Sequence, residues 1–421
     1  MLDVSLVVRG VVAAVAALYG LYHVGMAFPL SAPPKPPPPA SDAVRRFAVL
    51  VCARNEAVVI GQLVESLRAQ DYPADAFGVF VVADNCTDDT AAVAAAAGAI
   101  VWERTDPENV GKGHTLRWFF ERFRAEYEGR YDACAIFDAD NVVDSGFLAA
   151  VNAELNRGHQ VAMGYRLPKN PTDSVVAGAS TLFWLFQTRM FHIGRVRRGL
   201  PCVSVGGTGF AFELGVLPNG RWHTKSTSED IEFTLHCIAD GQSVSLTYDA
   251  VFYDEQPLTW WQSVRQRYRW TVGCLQMLRY GTPRLLHSLR RRWRKSYDAL
   301  LYSVGALVSG LNVLASAAMT VLIGVKTGQW ALLGVSLAVG TVVAYLAVAW
   351  VAWLTLHLER QWWPGAWKVI AVFPIYMLQW MVIYVVVLFH HNNPRWHTVP
   401  HTRALTLGEV TATRSDGPAQ R

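Results

Sequence analysis

The sequence predicts an α/β fold, a mostly parallel sheet with crossover helices, joined to apolar helices long enough to cross a membrane. Three observations predict it. Short apolar runs alternate with helical patterns between residues 46 and 255, and such alternation builds parallel sheets. Residues 299–325, 330–356 and 369–389 contain no Asp, Glu, Lys or Arg. Each can span a hydrocarbon core of about 30 Å as a helix. Polar and acidic residues (Asn55, Glu56, Asp84, Asp138, Asp140) follow the apolar runs, and ligands bind beyond the C-terminal strand ends of such sheets.

Residues 10–30 form a fourth apolar candidate, with Arg9 at its outer end. A signal peptide needs a basic start and a small-residue cleavage site. The chain opens Met1-Leu2-Asp3 and the segment runs into Phe28 and prolines, so residues 1–30 are expected to be an uncleaved anchor. Pro33, Pro34 and Pro36–Pro39 stiffen a linker over 31–45. In the region 46–255, Phe47–Cys52 reads as a buried strand, Ala57–Gln70 as a helix and Val79–Ala83 as a second strand. Thr90–Ala97 reads as alanine-rich helix and Ile100–Trp102 as a short strand. Ala135–Phe137 is the apolar strand that ends in Asp138.

Two further segments mix aromatics and arginines. Thr181–Arg198 carries Phe183, Phe186, Arg189, Arg195, Arg197 and Arg198, and Trp260–Trp293 has the same character. Both are expected to lie in the headgroup layer; amphipathic helices packed on the soluble domain are the alternative. Residues 256–297 thus form an interface region, 298–392 three transmembrane helices and 393–421 a polar tail. The net charge of +5 is local: Arg290-Arg291-Arg292-Trp293-Arg294-Lys295 precedes the first span. Such clusters mark the cytoplasmic face and attract anionic lipid, and the adjacent span favours lipid over nucleic acid as partner. The six cysteines form no CxxC motif, which argues against a zinc site or a disulfide framework and for a reduced cytosolic domain.

The chemistry-bearing residues are few. Asp138-Ala139-Asp140 follows an apolar strand, and a carboxylate pair held at a strand end suits Mg²⁺ or Mn²⁺, cations that usually bring substrate phosphates with them. A DxD alone is also common in solvated loops. Asp84, in a polar turn leading into a helix, is placed to accept hydrogen bonds from a base or ribose; helix capping is its plain reading. Lys112, between Gly111 and Gly113, could reach a diphosphate as a point charge, or be a solvated turn lysine. Asp230, in Ser228-Glu229-Asp230 before a helix, could be a general base, though capping explains part of that segment. Gln266, Arg269 and Trp270 fall within one or two helical turns. Arg269 could brace a diphosphate, and Trp270 offers a flat face to a sugar ring; a membrane-interface belt is the alternative.

This order of motifs, Asp84, Asp138/Asp140, Asp230 and then Gln266–Trp270, resembles glycosyltransferase family 2, in particular its membrane-embedded cellulose, chitin and hyaluronan synthases. The resemblance runs from about residue 46 to 275. It implies a GT-A-type, Rossmann-like catalytic domain and carries roles to matching positions. Asp84 would contact the uridine, with Asn55 and Glu56 at the nucleotide. Lys112 would meet the diphosphate. Asp138 and Asp140 would sit at nucleotide and metal, and Asp230 would be the base. Gly207 and Thr208 would lie beside the acceptor, and Gln266, Arg269 and Trp270 would close over donor and acceptor. Two features depart from the pattern. Ala83 stands where a second adjacent aspartate is frequent, and Ser228 precedes Glu229-Asp230 where threonine is usual.

The implied function is an inverting, metal-dependent hexosyltransferase. It would move a sugar from a UDP-sugar to a polysaccharide or lipid acceptor at the cytosolic face of the cell membrane, in polysaccharide or cell-envelope biosynthesis. Repeated addition and a single transfer to one lipid are both open. A transporter or scaffold with an inert nucleotide domain would favour lost acids and intramembrane charges, and neither is seen. An oxidoreductase would want GxGxxG after the first strand, where Cys52-Ala53-Arg54-Asn55-Glu56 stands instead. One tension remains. Three spans after the basic run put the tail outside, whereas Trp396-His397-Thr398 resembles a cytosolic segment that caps the nucleotide in related synthases.

Overall fold

The computed structural model describes residues 14, 17–23, 25–26, 38–391, 401 and 403–415. The expected first span and the Trp396-His397-Thr398 segment therefore lie mostly or wholly outside the described residues. Residues 17–23 are helical.

One eight-stranded sheet organises the chain, in the order β3-β2-β1-β4-β7-β6-β8-β5. Its strands are β1 (Phe47–Ala53), β2 (Phe77–Asp84), β3 (Ile100–Arg104), β4 (Ala133–Asp138), β5 (Val142–Val143), β6 (Val161–Pro168), β7 (Phe210–Glu213) and β8 (Val244–Asp254). β1, β2, β3 and β4 pair in parallel, as the alternation predicted. β7 inserts antiparallel between β4 and β6. Strands with both faces covered are apolar throughout, and in β1 six of seven residues are buried.

Side chains alternate across the sheet. Leu50, Phe80 and Ile136 pack on Phe119, Phe120 and Phe123 of α3 (Lys112–Tyr127). Val49, Val81 and Phe137 pack on Leu63, Val64 and Leu67 of α1 (Ile60–Arg68). That second layer also holds α2 (Thr90–Ala96) and α4 (Phe147–Asn156). The fold is thus GT-A-like, with helices on both faces of a mostly parallel sheet.

The longer helices that follow are α5 (Val175–Gln187), α6 (Glu229–Asp240), α7 (Trp260–Tyr280), α8 (Thr282–Ser303), α9 (Gly305–Thr327), α10 (Trp330–Glu359), α11 (Ala366–Phe389) and α12 (Leu407–Ser415). α9, α10 and α11 are long and apolar enough to cross a membrane. A π-helical turn, Thr188–Ile193, continues α5. This segment packs against the apolar helices. Leu182, Phe183 and Leu185 are buried. Arg189 pairs with Glu359 at 2.5 Å and Arg195 with Asp298 at 2.9 Å, all four side chains almost wholly buried. Each of these two arginines thus has a carboxylate partner on a later helix, and Glu359 is the last residue of the apolar α10.

Candidate active site

A cavity of about 300 Å³ opens beyond the C-terminal ends of β1, β2 and β4. Asp84, Asp138, Asp140 and Asp230 all line it, with Lys112 and Glu56. The four acids come from β2, the end of β4, the turn after it and the first turn of α6.

Lys112 links the site. It is the first residue of α3, and its Nζ donates to Asp138 and, at 2.7 Å, to the carbonyl of Gly207. Burial opposes its charge, but Asp138 and Glu229 beside it hold its pKa above the ordinary lysine value. Gly207 has φ 83°, and a Cβ there would lie 3.8 Å from Asp230 Oδ2. A glycine thus carries the backbone between lysine and candidate base in a left-handed conformation that other residues rarely adopt. Asp138, Lys112, Gly207 and Asp230 are therefore neighbours.

Asp230 and Glu229 open α6. Burial raises both carboxyls above their ordinary range, and the Asp230 charge adds to the rise at Glu229. The expected capping explanation does not hold, since Ser228 makes no side-chain cap bond. Instead Glu232 accepts from the N–H groups of Lys225 and Ser226 at 2.9 and 2.7 Å.

Asp84 is less available than expected. Its carboxylate accepts from Arg104 at 2.6 Å and from the Thr115 hydroxyl at 2.9 Å. Arg104 lies opposite Asp84 in the β2–β3 register. Two predicted residues lie outside the cavity lining. Asn55 is exposed with φ 56°, and its Oδ1 accepts from the Thr87 N–H at 2.8 Å, so it ties two loops together. Thr208 is buried; its hydroxyl accepts from the Asp138 N–H at 2.8 Å and donates to Asn141. It props the strand end from behind.

Gln266, Arg269 and Trp270 of α7 line the opposite wall. Trp270 packs against Trp184, ring centres 5.3 Å apart. Trp380 of α11 and Tyr302 of α8 also reach the cavity. Several lining residues escaped the sequence reading: Arg166, Glu229, Asp254 and His401 were not singled out, and Asp84 was seen without its partner Arg104. Arg166 bonds Asp254 at 2.9 Å and lies 3.8 Å over the Trp184 ring. Burial raises Asp254 to about 7 despite Arg166. His401 Nδ1 is 2.9 Å from Glu56, and its Nε2 is 3.4 Å from Asp140. Burial lowers its basicity, but Asp140 and Glu56 raise it to about 10. The adjacency of Glu229 to Asp230 was readable; the other partners come from strand register and chain return.

Among the described residues no group of three or more His, Cys, Asp or Glu side chains is placed to hold an ion alone. Asp138 and Asp140 still fit a hard cation, because Mg²⁺-type ions are commonly held by one or two carboxylates plus substrate phosphates. Burial keeps the Asp140 carboxyl raised, as expected of a carboxylate that lacks a full set of counter-charges.

The sequence profile of the family described as "Glycosyltransferase like family 2" matches residues 45–273. A probable glycosyltransferase of Bacillus subtilis (strain 168), YdaM, is 27% identical over 236 residues, covering 54% of this chain and 55% of that one. A beta-monoglucosyldiacylglycerol synthase of Nostoc sp. is 25% identical over 276 residues, covering 61% and 54%. The chain thus spans about half the length of these curated relatives. The mannosyltransferase PcManGT of Pyrobaculum calidifontis, solved with GDP-Man and Mn²⁺, superposes with a TM-score of 0.58 at 17% identity, covering 89% of this chain and 97% of that one.

Proposed function

The chain belongs to the glycosyltransferase-like family 2, and on that premise we propose that it transfers a sugar, with inversion, from a UDP-sugar to a hydroxyl of a membrane-held acceptor. The observation that carries this reading is the convergence of Asp138, Asp140, Lys112 and Asp230 on one cavity. Asp138 and Asp140 would hold Mg²⁺ or Mn²⁺, which neutralises charge on the departing diphosphate. PcManGT, of similar fold, was solved with Mn²⁺.

Asp230 takes the proton of the acceptor hydroxyl. The freed oxygen forms its bond to the anomeric carbon from the side opposite the nucleotide, and the carbon–oxygen bond to UDP breaks. Lys112, already turned toward Asp138, and Arg269 on the facing wall stabilise the leaving diphosphate. Asp84, held by Arg104, and Glu56 address the nucleotide, and Gly207 and Trp270 the acceptor. In this reading residues 46–255 form the catalytic domain, 256–297 the interface region carrying Gln266–Trp270, and the catalytic face is cytosolic.

Of the two acceptor classes, polysaccharide and lipid, the second gains support from Trp380 and Tyr302. Trp380 belongs to the apolar α11 and Tyr302 to α8 just before the apolar α9, and both line the cavity. The Nostoc relative is a glucosyldiacylglycerol synthase. Detergent-solubilised protein offered a panel of UDP-sugars should release UDP with one of them. Chelation with EDTA should stop release, and Mg²⁺ or Mn²⁺ should restore it. Release that persists at full rate in EDTA would sink the metal assignment, and no release with any UDP-sugar would sink the donor.

A further inference from the structure

Three apolar helices follow the catalytic region, yet the chain beyond them is back at the cavity. His401 lies 2.9 Å from Glu56. Arg403 pairs with Asp173 at 2.6 Å. Val410 is buried in a cluster with Leu405, Leu407, Tyr165 and Phe183. An odd number of crossings would leave this segment across the bilayer from residues it touches.

Packing shows which helix differs. α9 leaves from the neighbourhood of Tyr302, a cavity residue. α10 returns: its last residue, Glu359, bonds Arg189 and, at 2.6 Å, Tyr165 of β6. Between those ends the most apolar stretch of α10 is 0% buried, as expected of a helix surrounded by lipid. α11 is buried along its whole length, on a stripe through Val369, Phe373, Tyr376, Gln379, Ile383 and Val387.

Both ends of that stripe touch the catalytic side. At the start Val369 abuts Gly178 of α5, where a Cβ would come within 2.6 Å of it. In the middle the Ser263 hydroxyl is 3.0 Å from the Tyr376 hydroxyl, and Arg267 donates to the Tyr376 carbonyl at 3.3 Å. At the end Tyr268, one residue from cavity-lining Arg269, donates to the His390 carbonyl at 2.7 Å. The same end of α11 meets the near end of α9, since Gly310 packs against Leu388 and the Tyr384 carbonyl. The opposite end meets the returning half of α10, where the Tyr345 hydroxyl donates to Ala371 at 2.5 Å. An upright helix of 24 residues would be about 36 Å long, more than the hydrocarbon core of about 30 Å, so its two ends would face opposite compartments.

We infer that α11 lies along the membrane surface as the floor of the active site, so that of the three apolar helices only α9 and α10 cross. Trp380 is the floor residue that reaches the cavity. The opposite face of α11, with exposed Ile375, Leu378, Val382 and Val386, rests on the acyl chains. Residues 401 and 403–415 then share the compartment of the catalytic domain, which resolves the tension between the tail and the count of spans.

The test needs no substrate and is independent of the transfer reading. Three variants, Glu121→Cys on α3, Gln329→Cys between α9 and α10, and Gly408→Cys on α12, place a thiol at exposed positions. Sealed right-side-out and inside-out membrane vesicles are treated with a membrane-impermeant maleimide, with the parent protein as background for its six native cysteines. Glu121→Cys and Gly408→Cys should label from one face and Gln329→Cys from the other. Labelling of Gly408→Cys together with Gln329→Cys would show that α11 crosses. Labelling of all three from one face would show that α9 and α10 do not. Any pattern other than the first overturns the inference.

Discussion

Asp230 has the features a general base needs: it lies in the cavity, beside Gly207, with its carboxyl raised by burial. A positioned base contributes about 10²–10⁴-fold in rate. Asp230→Asn keeps the shape and removes the base, so transfer should fall by about that factor while UDP affinity, measured by calorimetry, stays near the parent value. Equal loss of both would assign Asp230 to donor binding instead. The raised carboxyl also sets a pH dependence. Only the deprotonated form accepts a proton, so activity is lost as pH falls through the raised value. The acid limb of kcat/KM should therefore lie above the ordinary aspartate pKa of about 3.9. A limb below that value would mean that another group sets it or that the carboxyl is not perturbed.

Each helix around the site presents two faces with different tasks. On α7, Gln266, Arg269 and Trp270 are spaced to share one side and line the cavity. Arg267, between them, turns away and lies 3.7 Å over the Tyr376 ring of α11. The π-turn after α5 is anchored to α10 by Arg189 and Glu359. Removing one member of a buried pair leaves a stranded charge, at a cost of about 3–5 kcal/mol. Arg189→Ala should lower the thermal unfolding midpoint of the solubilised protein markedly, and Arg189→Met combined with Glu359→Leu should recover much of the loss. A midpoint unchanged in Arg189→Ala would show that the pair does not fasten α10 to the catalytic domain. Neither partner could be matched from sequence, because Arg189 and Glu359 are joined only by the path of the chain. The same holds for Asp84 with Arg104, paired by strand register, and for His401. Asp138, Asp140 and Asp230 were legible because an apolar strand or a helix start lies beside each. β7 was not, since four residues, Phe210–Glu213, carry too little pattern to separate a strand from a loop.

At the scale of the whole molecule the cavity has two walls of opposite chemistry. The strand ends, the turns after them and the start of α3 supply Asp138, Asp140, Glu56 and Lys112; the later helices supply Trp184, Trp270, Trp380 and Tyr302. Charges suit a nucleotide diphosphate, and flat aromatic faces suit sugar rings and the amphiphilic region where an acceptor meets the membrane. With only α9 and α10 inferred to cross among the described apolar helices, we propose that one sugar is moved onto one lipid headgroup at a time. Membranes given radiolabelled UDP-sugar should then yield a single product that partitions into organic solvent. Its amount should rise with time while its size on chromatography stays constant. A ladder of products, or water-soluble material of high mass, would mean that the acceptor is extended repeatedly.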